Sequence, residues 1–192
     1  MNTPIHYDIA VVAGSLRRDS FNRQLATALA QLAPQGLHLK LVEIGDLPLY
    51  NQDDDADPHA SVRRLKGEIA AAHGVVFVTP EYNRSIPGVL KNAIDHASRP
   101  YGQSAWANKP AGVLGISIGG MGTSMAQQHL RNVLAYLDMP TLNQPELYLT
   151  NKPGFFDAQG AIAADDTRQL LQRWLERFAA LVKQRAVAVE GA

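Results

Sequence analysis

Residues 75–78, VVFV, form a continuous apolar run of mostly β-branched side chains. A run this short and this apolar suits a strand buried on both faces. The segment after it, residues 79–87, holds two prolines, an aromatic, a carboxylate and an amide. Residues 88–97 resume a helical period, and Pro87 is well placed for a first helical turn. Strand, restricted polar loop and helix together make one unit of an α/β sheet. In open sheets of this kind, ligands bind in loops at the carboxyl ends of buried strands.

The same alternation recurs along the chain. Strands are expected over residues 7–13, 37–44, 75–79, 110–118 and 142–149, and helices over 21–32, 59–73, 88–98, 122–137 and 165–183. Leu170, Leu171, Trp174, Phe178 and Leu181 lie on or near one face of the last helix. Five such units argue for a parallel sheet covered on both faces, in one domain spanning residues 1–192. The expected fold is an α/β, flavodoxin-like, doubly wound five-stranded parallel sheet of order 2-1-3-4-5. Its crevice lies above strands one and three. Residues 45–58, GDLPLYNQDDDADP, read as a turn-rich surface loop with solvated Asp53, Asp54, Asp55 and Asp57. The tail after Gln184 reads as frayed.

Charge and residue usage remove several function classes. The 18 basic and 18 acidic residues cancel, and no basic block argues for nucleic-acid binding. Without cysteine there are no disulfides, thiolate metal sites or thiol nucleophiles. His6, His38, His59, His73 and His129 lack metal-ligand spacing. No apolar run approaches the roughly eighteen residues of a membrane helix. No signal-peptide layout opens the chain. A cytoplasmic location is expected, with no membrane or nucleic-acid partner.

Three loops carry candidate ligand chemistry. The first strand ends in AGSLRRDSFN, which is neither GxGxxG nor a P-loop but has the parts of a phosphate cradle. Gly14 permits a tight turn, Ser15 and Ser20 offer hydroxyls, and Arg17 or Arg18 offers charge. Asn22 stands at the opening of a helix, whose free N–H groups attract an anion. A capped helix with solvated arginines is an equally good reading of this loop alone. The second loop, PEYNRSIP, offers the aromatic surface of Tyr82, the stiffness of Pro80 and the backbone donors of Glu81, Tyr82 and Asn83. The third, SIGGMGTSM, follows AGVLGIS; Gly119, Gly120 and Gly122 allow close backbone approach, and Ser117 is its best side-chain candidate. The helix after it would turn its N-terminal donors toward the crevice. Lys91 and Asp95, at i and i+4, read as a surface ion pair. Trp106 and Trp174 read as packing residues, and Tyr50 as either loop packing or a lip of the pocket.

PEYN followed by SIPGVLKNAID, GSLRxxSxN in the first loop and the glycine-rich third loop together resemble the NAD(P)H-dependent FMN reductases, a flavodoxin-like group that includes quinone and chromate reductases. The likeness covers roughly residues 8–181. It implies an FMN phosphate held by Ser15, Arg17, Ser20 and Asn22, with Leu16 contributing backbone. It implies an isoalloxazine ring beside Pro80, Glu81, Tyr82 and Asn83, with Ser117, Gly119 and Gly120 closing the site. NADPH or NADH would give hydride to the flavin, and a quinone or other small acceptor would collect electrons at the same face, in ping-pong order. No catalytic side chain is implied, because the flavin carries the chemistry. Glu81 is therefore expected to be structural. Members of this group are commonly oligomeric, and the apolar residues over 88–98 and 122–137 suit a homodimer or homotetramer. His96 departs from the resembling sequences, which carry an aromatic there. Two rivals remain: a flavodoxin-type carrier that does not itself oxidise NAD(P)H, and a flavin-free phosphate-binding domain. Zero net charge disfavours the first, since flavodoxins are usually strongly acidic.

Overall fold

The computed structural model describes residues 6–190, and the side chains as far as residue 186. Five parallel strands run in the order β2-β1-β3-β4-β5. They are β1 (Tyr7–Ala13), β2 (Leu37–Val42), β3 (Gly74–Val78), β4 (Ala111–Ser117) and β5 (Leu147–Thr150). The helices are α1 (Phe21–Leu32), α2 (Ala60–Ala71), α3 (Gly88–Ala97), α4 (Ser124–Tyr136) and α5 (Asp165–Glu190). This is the expected flavodoxin-like topology, with the strand order reversing between β1 and β3.

The apolar runs divide by the period of two that a strand imposes. Ala10, Val12, Val75, Phe77, Ala111 and Val113 face α2, α3 and α4, where Leu65, Ile69, Leu90, Ile94, Leu130 and Leu134 meet them. Ile9, Val11, Val76, Val78, Leu114 and Ile116 face α1 and α5, against Leu25, Leu29, Trp174 and Phe178. Both tryptophans are fully buried packing residues, as expected. The Trp106 indole N–H donates to the Ile94 carbonyl at 2.9 Å, which satisfies its one polar atom.

The structure moves some boundaries. β2 stops at Val42, two residues before the expected end. β5 begins at Leu147, five residues after the expected start. Thr141 and Leu142 still reach β4: Thr141 bridges Ala111, and the Leu142 N–H donates to the Ala111 carbonyl at 2.8 Å. Residues 143–146, with a cis Gln144–Pro145 bond, separate that contact from the ladder. The tail expected to fray after Gln184 is helical as far as Glu190.

The sequence-based reason for self-association is also corrected. Leu90, Ile94, Ala97, Leu130 and Leu134 are spent inside this chain's own core. On α3 and α4, the large apolar side chains that stay exposed are Met125 and Tyr136.

Candidate active site

The loops after β1, β3 and β4 meet at the carboxyl edge of the sheet, at the point where the strand order reverses. In the first loop, Gly14 donates its N–H to the Val78 carbonyl at 2.9 Å, so the loop starts in register with β3. Ser15 is 5% exposed, and its side chain makes no hydrogen bond among the described residues. Leu16 is half exposed. Arg17 folds back over its own loop: its guanidinium donates to the Asp19 carbonyl and lies 4.8 Å from the centre of the Phe21 ring. Ser20 is the N-cap of α1, its hydroxyl accepting from the Arg23 N–H at 3.3 Å.

Asn22 does something the sequence does not announce. Its side-chain amide donates to the Ile116 carbonyl at 2.9 Å, and its amide oxygen accepts from the Ile116 N–H at 3.1 Å. The buried side chain thus adds an extra rung between α1 and the end of β4, with both its polar ends occupied there. What Asn22 has left for an anion is its backbone N–H.

The loop after β3 is built around a tight turn. Tyr82 and Ser85 exchange backbone hydrogen bonds of 2.9 and 3.0 Å, and Asn83 and Arg84 between them have φ of 51° and 64°. Both central residues therefore lie in the left-handed region, as a type I′ connection requires. The Tyr82 N–H is used in this turn. The N–H groups of Glu81 and Asn83 have no partner among the described residues. The Tyr82 side chain is half exposed, while Pro80 is buried.

Glu81 reaches across to α4, where its carboxylate accepts from the N–H groups of Met125 at 2.9 Å and Ala126 at 3.0 Å. Thr123, at the N-cap position, makes no side-chain capping bond, so Glu81 supplies from a distance the anion that this helix end favours. This corrects the expectation that α4 aims its N-terminal donors into the crevice, for two of them are taken. Ser85 adds a second tie between the same elements, its hydroxyl 2.7 Å from His129 Nδ1.

The glycine-rich loop is organised by Ser117. Its hydroxyl donates to the Gly122 carbonyl at 2.7 Å and accepts from the Gly119 N–H at 3.1 Å. The Ser117 hydroxyl and the Gly119 N–H are thus engaged within the loop, and Gly120 is the candidate there whose N–H lacks a partner among the described residues. Gly122 has φ of 59° and packs on the backbone of Tyr148. Ile118 and Met121 stand out into solvent at 77% and 66% exposure. With Leu16, Tyr82 and Met125 they give the three loops an apolar rim.

Other features sit away from these loops. Lys91 and Asp95 form the expected ion pair at 2.9 Å. Tyr50 packs edge-on against His96 at 5.4 Å between ring centres, within its own chain. His96 donates from Nε2 to the Pro48 carbonyl at 2.9 Å and so pins residues 45–58 to α3. A cavity of about 280 Å³ opens under that segment, lined in part by Asp54, His59, Lys66 and Arg99, and shares no residue with the three loops. Burial lowers the pKa of Lys109, and burial followed by the Glu146 hydrogen bond raises that of Tyr148; both groups lie outside the crevice.

The two helix ends at this edge differ in a way that tests the fit of FMN. The α4 end already holds a carboxylate. No carboxylate accepts from the α1 end among the described residues, and Arg17 and the Ser15 hydroxyl stand beside it. An anionic phosphate fits there, and an aromatic ring fits the apolar rim.

Comparison with known proteins agrees. Residues 7–154 match the family described as NADPH-dependent FMN reductase. A 2-hydroxy-1,4-benzoquinone reductase from Burkholderia sp is 55% identical over 179 residues, covering 93% of this chain and 98% of the relative. A quinone reductase from Pseudomonas putida is 52% identical over 178 residues, covering 92% and 95%. Among solved structures, the flavoenzyme NAD(P)H:(acceptor) oxidoreductase (FerB) from Paracoccus denitrificans superposes with a TM-score of 0.89 at 42% identity, covering 93% of this chain and 98% of that one. With such relatives along nearly its whole length, the chain belongs to the NADPH-dependent FMN reductase family.

Proposed function

We propose that this oxidoreductase takes electrons from NAD(P)H and passes them to a small quinone-like acceptor, the two substrates using one crevice in turn. The observation that carries this is the contrast between an α1 N-terminus with no carboxylate on its N–H groups and the α4 N-terminus held by Glu81, beside an apolar rim, in a chain of this family. FMN would supply the redox chemistry, as hydride acceptor toward NAD(P)H and electron donor toward the second substrate. The protein's part is to hold and shield. Ser15, Arg17, the Leu16 backbone and the α1 N-terminus suit the phosphate. Tyr82, Pro80 and the backbone of Glu81, Asn83 and Gly120 suit the ring. The assignment treats residues 1–192 as one FMN-binding domain.

One crevice serving two substrates in turn gives parallel double-reciprocal lines when NADPH and a quinone are varied together. NADPH alone should bleach the flavin absorbance anaerobically, and quinone should restore it. Intersecting lines would remove the shared-face mechanism, and absence of bleaching would favour the electron carrier.

Arg17→Ala should weaken FMN by about 1.5–3 kcal/mol, the scale of a lost charge-assisted hydrogen bond, while riboflavin, which lacks the phosphate, binds as before. Titrating apoprotein with both flavins checks this; equal weakening would place Arg17 away from the phosphate.

Glu81→Gln keeps an acceptor for α4 but loses the charge at its N-terminus, worth about 0.3–1 kcal/mol. The rate of flavin reduction at matched occupancy should be retained. A collapse of that rate would give Glu81 a part in the chemistry.

Among the described residues no helix is long and apolar enough to cross a membrane. The proposal adds a cytoplasmic location, which a chain without cysteine suits. It also adds a homodimer or homotetramer, supported by the exposed Met125 and Tyr136 of α4. Light scattering at micromolar concentration should give twice or four times the chain mass of 20.9 kDa.

A further inference from the structure

Five arginines pair with carboxylates. Arg23 pairs with Glu43, Arg63 with Asp57, Arg64 with Asp46 and Glu68, Arg131 with Glu146, and Arg168 with Asp165. Arg84 is exposed and, like Arg18, Arg99, Arg173, Arg177 and Arg185, pairs with no carboxylate among the described residues; of these it alone stands in the loop after β3. It also holds a backbone conformation that suits it poorly. At the second central position of the Tyr82–Ser85 turn, with φ of 64°, glycine is the residue of least strain. An arginine kept at such a position argues that its side chain has a use. The turn beneath it is held firmly: the Tyr82–Ser85 bridge closes it, Ser85 ties it to His129, and Glu81 ties it to α4. The base of Arg84 is thus fixed two residues from Tyr82, whose half-exposed ring borders the crevice, and its side chain is exposed to solvent. Arg17 is assigned to the FMN phosphate and is therefore not free for a second ligand.

The two nicotinamide donors differ in one group, the adenosine 2′-phosphate of NADPH. A guanidinium matches a phosphate in charge and in the fork geometry of its donors. We propose that Arg84 grips this 2′-phosphate and so favours NADPH over NADH. The assignment rests on the reading of the chain as an NAD(P)H oxidoreductase.

The test uses the FMN-loaded protein and two probes, adenosine 2′,5′-bisphosphate and 5′-AMP, by calorimetry. Arg84→Gly removes the charge and relieves the left-handed backbone, so folding is preserved. The bisphosphate should bind the parent protein more tightly than 5′-AMP. Arg84→Gly should weaken it about 10- to 100-fold and leave 5′-AMP unchanged, while Arg84→Lys keeps part of the preference. In turnover, KM for NADPH should rise with kcat steady and NADH unaffected. Arg18→Ala should move neither ratio. Equal affinity of the parent for both probes, or equal weakening of both by Arg84→Gly, overturns the assignment, as does a lost preference in Arg18→Ala. If NADPH and NADH are both oxidised and their ratio does not move, only the role of Arg84 falls. If neither is oxidised, the oxidoreductase reading falls instead.

Discussion

Gly115→Ala is expected to lower stability at the upper end of the about 1–3 kcal/mol range for overpacking, or beyond it. A Cβ at this position would stand 2.0 Å from the Thr79 carbonyl oxygen and 2.6 Å from Thr123 Oγ1. The first is backbone, so no rotamer change relieves it. The Thr79 N–H meanwhile donates to the Leu114 carbonyl at 3.0 Å, which ties β3 to β4 just where the methyl group would push them apart. Thr79 leads into Pro80, and Thr123 leads into α4, so the strain falls on both loops proposed to border the flavin ring. Thermal unfolding should show a large fall in Tm, and the purified variant should retain less FMN than the parent. Normal stability would mean that the strands part here at little cost. Gly122, at φ of 59° and with a Cβ position 2.6 Å from the Tyr148 carbonyl carbon, is the nearest comparison. Gly120, where a Cβ meets nothing within 4 Å, is the control.

The parts of the fold legible in the sequence are those that depend on local pattern. Val75–Val78, the helical period after Pro87 and the apolar face around Trp174 each follow from the spacing of side chains over one or two turns, and each stands where that spacing puts it. Where the pattern is cut, legibility fails. Leu142 and Leu147 are both buried and both contact the sheet, so the apolar signal runs through them, yet Pro145 has no N–H to give to a ladder and the regular strand begins after it. The loops divide in the same way. Residue types offered a phosphate site or a capped helix after β1, and announced the restricted turn after β3 that the structure shows. They did not announce that Glu81 caps a helix 44 residues further on, or that Asn22 bonds to a strand 94 residues away. The α4 sequence carries no mark of the Glu81 cap, since α1, α2 and α3 also open with no acid in the first turn. Nothing marks Asn22 either, because an amide at a helix start is equally at home facing an anion.

Asn22→Ala separates those two roles. Removal of the side chain leaves the Ile116 N–H and carbonyl without their partners in a buried position. Each unsatisfied group costs about 1–3 kcal/mol, so a total loss of about 2–4 kcal/mol is expected, allowing for some relaxation. The direction of the effect on FMN differs from that of Arg17→Ala. The Asn22 backbone N–H stays in place at the α1 N-terminus, so the ratio of FMN to riboflavin affinity should hold while the denaturation midpoint falls. Asn22→Asp is the sharper probe. It keeps an acceptor for the Ile116 N–H but faces a carboxylate to the Ile116 carbonyl and adds a negative charge beside the proposed phosphate position. It should therefore lose both stability and FMN affinity, and riboflavin should be the less affected ligand. If Asn22→Ala instead keeps its denaturation midpoint and loses FMN selectively, the side chain serves the phosphate and not the rung to Ile116.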